Sequence, residues 1–219
     1  MTTVENWKVE RFGASLINKR DGKEKPTDTI LKNKDLILVY FSASWCPPCK
    51  MFTPVLTSFY KECCVPNNVE IIYLSSDRDV ESFNEYYGKM PWTAIPIRDT
   101  QETKQQLANA LQVTSIPHLV VLNKDGKFVT DQARAEVMEI AGSKEKGEAL
   151  VAEWKRKEGV DIENAKVSGK QSLLMKVVLF LAKNPIYLFG ILYIGKKALT
   201  YLQELGEEDE DDAIKDGEL

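Results

Sequence analysis

A pair of cysteines stands where an apolar strand runs into a helix. Leu36 to Phe41 (LILVYF) is a continuous apolar run of strand length, Trp45-Cys46-Pro47-Pro48-Cys49 follows it, and Met51 to Cys63 has apolar residues at helical spacing. Two cysteines separated by two residues at a helix start form a dithiol that can close to a disulfide and reopen. The unpaired N–H groups and positive partial charge of the helix N-terminus favour a thiolate over a thiol. In such motifs the outer cysteine has its pKa lowered from about 8.5 toward about 7 or below. The pattern points to thiol–disulfide exchange, with Cys46 as nucleophile and Cys49, one turn into the helix, as the resolving thiol. Pro48 removes one backbone N–H near the thiolate and so raises the nucleophile's pKa.

The other two cysteines, Cys63 and Cys64, are adjacent, and His118 is the only histidine. That spacing does not suit structural zinc, so no metal site is expected. Nor do four cysteines at these positions form a secreted disulfide framework, and Met1 to Glu10 has no apolar core of a secretory signal. Phe52, Leu56, Phe59 and Cys63 share a helix face, which predicts Cys63 in the core and Cys64 at the periphery. The net charge is −4, of which residues 206–219 contribute −7, leaving +3 for residues 1–205. There is no basic stripe for nucleic acid, and the acidic end is expected to be a disordered, solvated tail.

Residues 1–157 alternate strands and helices. Val69 to Ser75 is a second apolar, β-branched strand, and Asp79 to Tyr87 a helix with Asp77 or Asp79 as its N-cap. Ile95 to Ile97 is expected as a short strand and Glu102 to Leu111 as an amphipathic helix. Leu119 to Leu122 and Phe128 to Thr130 flank a hairpin turn at Asn123-Lys124-Asp125-Gly126, and 147–157 closes the domain as a helix. The result is an α/β fold with a central mixed sheet flanked by helices, in the thioredoxin-like order of elements. Residues 158–172 are polar and are expected to be a linker, reaching roughly 50 Å if extended.

Residues 173–197 are a hydrophobic helical segment. From Val177 to Gly195 the only charge is Lys183, and the length is enough to span a bilayer core. Three placements compete: a transmembrane anchor, an interfacial helix with Lys176, Lys183 and Lys197 along one stripe, and a helical pair broken at Asn184-Pro185. Span length favours the anchor, although Lys183 resists burial at about 3 kcal/mol. The acidic tail, 198–219, would then be the part that crosses.

Five segments in this order and spacing resemble the tryparedoxins, thioredoxin-superfamily oxidoreductases of trypanosomatid parasites and kin of the nucleoredoxins. They are YFSASWCPPCK (Tyr40 to Lys50), FTPVL (Phe52 to Leu56), YYGKMPW (Tyr86 to Trp92), SIP (Ser115 to Pro117) and QAR (Gln132 to Arg134). The resemblance covers about residues 20–155 and none of the C-terminal additions. It implies a disulfide reductase with no bound cofactor, which the hydrophobic segment 173–197 would moor to a membrane. Electrons would come from trypanothione or a comparable thiol and pass to peroxiredoxins or other disulfide clients. A nucleoredoxin-like adaptor, binding partners according to dithiol state, is the alternative.

The resemblance also assigns supporting residues. Trp45, Pro47 and Pro48 frame the dithiol, Pro117 is cis, and its position frees the Ile116 backbone to pair with an extended client segment. Tyr40 occupies the place of the aspartate that accepts protons in thioredoxins. Asp77 lies near the dithiol, and Arg134 matches a position that can hold a glutathionyl carboxylate. Ser76 and Arg78 stand where tryparedoxins have tryptophan and glutamate. Trypanothione is cationic through its spermidine, so Arg78 should weaken its docking or favour another reductant. His118, at a strand start, is read as structural rather than as a general base, and Tyr87 and Trp92 as packing residues. The redox domain is expected to face the cytosol, with the mitochondrial outer membrane the favoured location.

Overall fold

The computed structural model describes residues 7–165 together with Lys196 and Lys197. The expected anchor therefore lies outside the described residues except for those two lysines, and the acidic tail lies outside them entirely. Among the described residues no helix is long and apolar enough to cross a membrane.

The chain enters through a short helix, α1 (Trp7–Phe12), a hairpin of β1 (Ser15–Ile17) and β2 (Glu24–Pro26), and one helical turn, α2 (Thr27–Ile30). Next come β3 (Leu36–Ser42), α3 (Pro47–Phe59), β4 (Val69–Ser75), α4 (Val80–Tyr87), β5 (Thr93–Ala94) and α5 (Ile97–Ala110). The hairpin of β6 (His118–Asn123) and β7 (Phe128–Thr130) precedes α6 (Ala133–Glu139) and α7 (Lys144–Arg156). The strands form one mixed sheet in the order β2-β1-β5-β4-β3-β6-β7.

β3 lies between parallel β4 and antiparallel β6, and all seven of its residues are buried. A strand covered on both faces needs an unbroken apolar run rather than an alternating one. Leu36, Leu38 and Tyr40 face one layer, with α3, α4, α6 and α7 contributing Leu56, Phe83, Val137 and Trp154. Ile37, Val39 and Phe41 face the other, with Phe12 of α1 and Leu107 of α5. The dithiol sits at the C-terminal edge of the central strand, where β3 gives way to α3.

Three local readings differ from the structure. The strand expected at Ile95 to Ile97 is two residues long and earlier, because Pro96 cannot extend a ladder and instead starts α5 at Ile97. α5 begins well before Glu102 because Thr100 and Thr103 supply its buried face, and threonines carry little periodic signal. Cys64 is not peripheral. α3 widens into a π turn over Tyr60–Cys64, and Cys64 is fully buried beside Cys63. The wider turn rotates both thiols inward, and burial pushes both pKa values up, Cys64 far more than Cys63.

The polar stretch after α7 is partly built into the fold. Val160 exchanges two backbone hydrogen bonds with Phe128, at 2.8 and 2.9 Å, which extends the edge beyond β7. Ile162 and Ala165 are buried against the α1/α5 layer. Residues 158–165, expected to be the start of a linker, are therefore part of the fold.

Candidate active site

Cys46 is the N-cap of α3 and Cys49 lies one turn inside it; the two are joined as a disulfide. Cys46 takes the extended conformation of an N-cap (φ −96°, ψ 106°), and its Sγ accepts the Cys49 N–H at 3.3 Å. Pro47 and Pro48 occupy the first two helical positions, where an N–H would have no intrahelical acceptor. Both donors that would otherwise flank the sulfur are therefore missing, and the Cys49 N–H is the backbone donor it retains. Cys46 keeps 4% of its surface exposed and Cys49 none.

The loop that presents Cys46 is clipped to the end of β4. Ser76 N–H donates to the Ser42 carbonyl at 2.8 Å, Trp45 Nε1 donates to the Ser76 carbonyl at 3.1 Å, and Ser44 N–H donates to Asp77 Oδ1 at 2.8 Å. The other Asp77 oxygen accepts the hydroxyls of Tyr73 (3.0 Å) and Ser75 (2.8 Å). Asp77 is consequently a brace for the active-site loop. The N-cap of α4 is Asp79, whose carboxylate accepts Ser82 N–H at 2.8 Å and Ser82 Oγ at 2.9 Å. Trp45 itself stands out from the surface, 59% exposed, as the rim of the site.

On the opposite side, the Ile116 carbonyl oxygen lies 3.9 Å from Cys46 Sγ, and the Ile116–Pro117 peptide bond is cis. Behind the dithiol is a buried set of hydroxyls, of which the sequence reading singled out only Tyr40. Thr53 Oγ1 donates to the Cys49 carbonyl at 2.9 Å and shares hydrogen bonds with Tyr40 Oη (2.9 Å) and Tyr86 Oη (2.7 Å). Tyr86 Oη continues to Ser42 Oγ at 3.1 Å. Burial holds the Tyr40 phenol well above its ordinary range, so it stays protonated and cannot take a proton from Cys49. The only sequence signal for Thr53 is its place one turn after Cys49 on the same helix face.

A family model described as thioredoxin-like matches residues 33–128. The tryparedoxin of Trypanosoma brucei brucei is 46% identical over 104 residues, which cover 47% of this chain and 72% of that protein. The chain belongs to the tryparedoxin group of thioredoxin-like proteins. Probable nucleoredoxin 1 of Arabidopsis thaliana is 50% identical over 99 residues, covering 45% of this chain but 17% of the longer relative. The solved structure of tryparedoxin II complexed with glutathionylspermidine is 34% identical, covers 62% of this chain and 92% of that one, and superposes with a TM-score of 0.56. With its Cys46–Cys49 pair, this tryparedoxin-type chain is a thiol–disulfide oxidoreductase.

Other residues named from the sequence fall apart into two groups. Arg78, exposed next to the Asp77 brace, lines a groove that begins at Trp45 and Ile116. Arg134, exposed near the start of α6, is not in that groove. His118 lies half-buried at the start of β6, its ring edge-on to Phe41, and its Nε2 is buried without a hydrogen-bond partner. Burial lowers its pKa, Arg134 lowers it further, and Asp131 opposes them. A neutral ring packed this way is structural. Trp92 is fully buried, edge-on to Tyr40 and Tyr60, and Tyr87 is buried with its hydroxyl donating to the Trp92 carbonyl at 2.9 Å. Among the described residues no cluster of three or more histidine, cysteine or acidic side chains is placed to hold a metal ion.

Proposed function

We propose that the protein is a protein-disulfide reductase that draws electrons from a low-molecular-weight thiol, trypanothione or a comparable one, and passes them to peroxiredoxin-type or other disulfide clients. The observation that carries this reading is the asymmetry of the dithiol. Cys46, at the helix cap between Trp45 and the Ile116 carbonyl, keeps the only exposed surface of the pair, 4%, whereas Cys49 lies one turn deeper with none. Reduced Cys46 attacks the client disulfide and forms a mixed disulfide. The Cys49 thiolate then attacks Cys46 Sγ, releases the reduced client and closes the Cys46–Cys49 disulfide, and two donor thiols reopen it. A client segment lying beside Ile116 would present its disulfide to Cys46.

The hydrophobic run at 173–197 supports tethering of this domain to a membrane, facing the cytosol, with the mitochondrial outer membrane favoured by an anchor of modest apolarity flanked by lysines. Steady-state reduction of a peroxiredoxin by the full-length protein tests the chemistry. Cys46→Ser should abolish turnover, and Cys49→Ser should accumulate a mixed disulfide with the client. A stoichiometric complex without turnover would instead favour the adaptor. Carbonate extraction tests the tether, and release into the supernatant would overturn a spanning segment.

A further inference from the structure

The groove beside the dithiol carries two cations and no acidic side chain. It measures about 860 Å³ and runs from Trp45 and Ile116, which also border Cys46, to one face of α5. Phe41 and Val113 make part of its lining apolar, while Arg78 and Lys104 make it cationic, and no Asp or Glu lines it. Neither cation has an ion-pair or hydrogen-bond partner among the described residues. On α5, Gln101, Lys104, Gln105 and Ala108 fall at helical spacing on the groove side, whereas Glu102 is turned to Gln106. A volume of this order suits a small molecule, and unpaired guanidinium and ammonium groups suit carboxylates.

We propose that the preferred electron donor is anionic, a carboxylate-bearing peptide thiol of the glutathione class, docked in this groove with its carboxylates on Arg78 and Lys104. The proposal rests on the exchange chemistry set out above and narrows its donor by charge. Docked there, the first donor thiolate attacks Cys46 Sγ, the sulfur beside Trp45 and Ile116. The Cys46–Cys49 bond breaks, a mixed disulfide forms on Cys46, and Cys49 leaves as a thiolate that takes up a proton. A second donor thiolate attacks the donor sulfur of that mixed disulfide, releasing the donor disulfide and the Cys46 thiolate. Two donor thiols are oxidised and one protein disulfide is reduced.

The test uses full-length oxidised protein in detergent and stopped-flow fluorescence, with rates normalised to thiolate concentration. Three small thiols differ mainly in charge: 2-mercaptoethanesulfonate, 2-mercaptoethanol and cysteamine. Glutathione and trypanothione are measured alongside. The anionic thiol should react fastest and the cationic thiol slowest, glutathione should exceed trypanothione, and about 0.5 M salt should flatten the order. Arg78→Glu with Lys104→Glu should lower the anionic-to-cationic rate ratio about tenfold or more, by Coulomb terms of this range. That ratio is internal to each sample, so partial unfolding does not imitate it. Lys124→Glu, a charge reversal on the distant hairpin turn, should leave it unchanged. Equal rates across the series, a faster trypanothione, or a ratio indifferent to the paired reversal would overturn the proposal. Failure of dithiothreitol, a neutral dithiol, to reduce the wild-type disulfide would instead overturn the exchange reading beneath it.

Discussion

Replacing Asp77 should damage both the fold and the catalytic loop, and replacing Asp79, two residues on, should do neither to the same degree. Asp77 is half-buried and accepts three hydrogen bonds, from Ser44 N–H, Tyr73 Oη and Ser75 Oγ. Hydrogen bonds to a charged acceptor contribute about 1.5–3 kcal/mol each. They share one carboxylate that is partly solvated, so Asp77→Ala is expected to cost about 3–4 kcal/mol rather than the full sum. For a domain of this size that is a fall of roughly 8–12 °C in Tm. Asp77→Asn keeps one carbonyl acceptor and should fall about half as far. Asp79→Ala removes an exposed cap and should lower Tm by about 2–4 °C. The kinetic consequence separates the two more sharply. Without Asp77 the Ser44 N–H loses its anchor, and the tie between the Trp45–Cys46 loop and the end of β4 is reduced to the Trp45–Ser76 and Ser76–Ser42 hydrogen bonds. Client reduction by Asp77→Ala, measured well below its Tm, should drop on the order of tenfold, the scale of a small misplacement of a reacting group. Asp79→Ala should retain wild-type turnover. Equal Tm losses for the two alanine variants, or full turnover by Asp77→Ala, would refute the brace.

Two further outcomes follow from packing and burial. Gly147 of α7 rests on Cys63, so that an added Cβ would collide with Cys63 Sγ; Gly147→Ala should therefore destabilise by about 1–3 kcal/mol despite alanine's better helix propensity. In a Cys63→Ala background the same change should become neutral or stabilising, and urea denaturation of the four proteins in that cycle measures the difference. His118 has its pKa lowered by burial in the folded state, so as pH falls through about 6.5 the unfolded chain takes up a proton before the native one does. Stability at this site is thus full above about 6.5 and declines below it, with a slope of at most about 1.4 kcal/mol per pH unit. Denaturation midpoints between pH 7.5 and 5 should fall more steeply for wild type than for His118→Phe, and identical slopes would show that the ring does not titrate differently on folding.

Much of the working centre was legible from residue order alone. The apolar run of β3, the CxxC pair and the following helix fix Cys46 at a helix cap and Cys49 one turn in, because strand and helix periods are local properties. The hairpin around Gly126 is of the same kind. The peripheral elements were not legible. α1, the first hairpin and α2 are too short to show a period, and α6 buries only Ala133 and Val137, so its two apolar contacts left no pattern to read. Threonine in the buried face of α5 hid its first turn for a related reason.

What the tertiary structure decided is who meets whom. Whether Asp77 or Asp79 capped α4 could not be settled from two aspartates two residues apart; the return of β4 beside the Ser44 loop gave Asp77 a different partner set. Thr53, Tyr40 and Tyr86 come from a helix, a strand and another helix, and they form one hydroxyl network only because α3 and α4 pack on the same face of β3. The groove that joins Arg78 to Lys104 is likewise a juxtaposition of the loop after β4 with the face of α5. A π turn, which depends on how α3 packs at its far end, moved Cys64 from the surface into the core. Sequence by itself determined the chemistry at Cys46 and Cys49, since that chemistry is built from neighbours along the chain. The charge, the brace and the hydroxyl network around it arise from contacts between residues far apart in sequence, and such contacts exist only once the layers have closed.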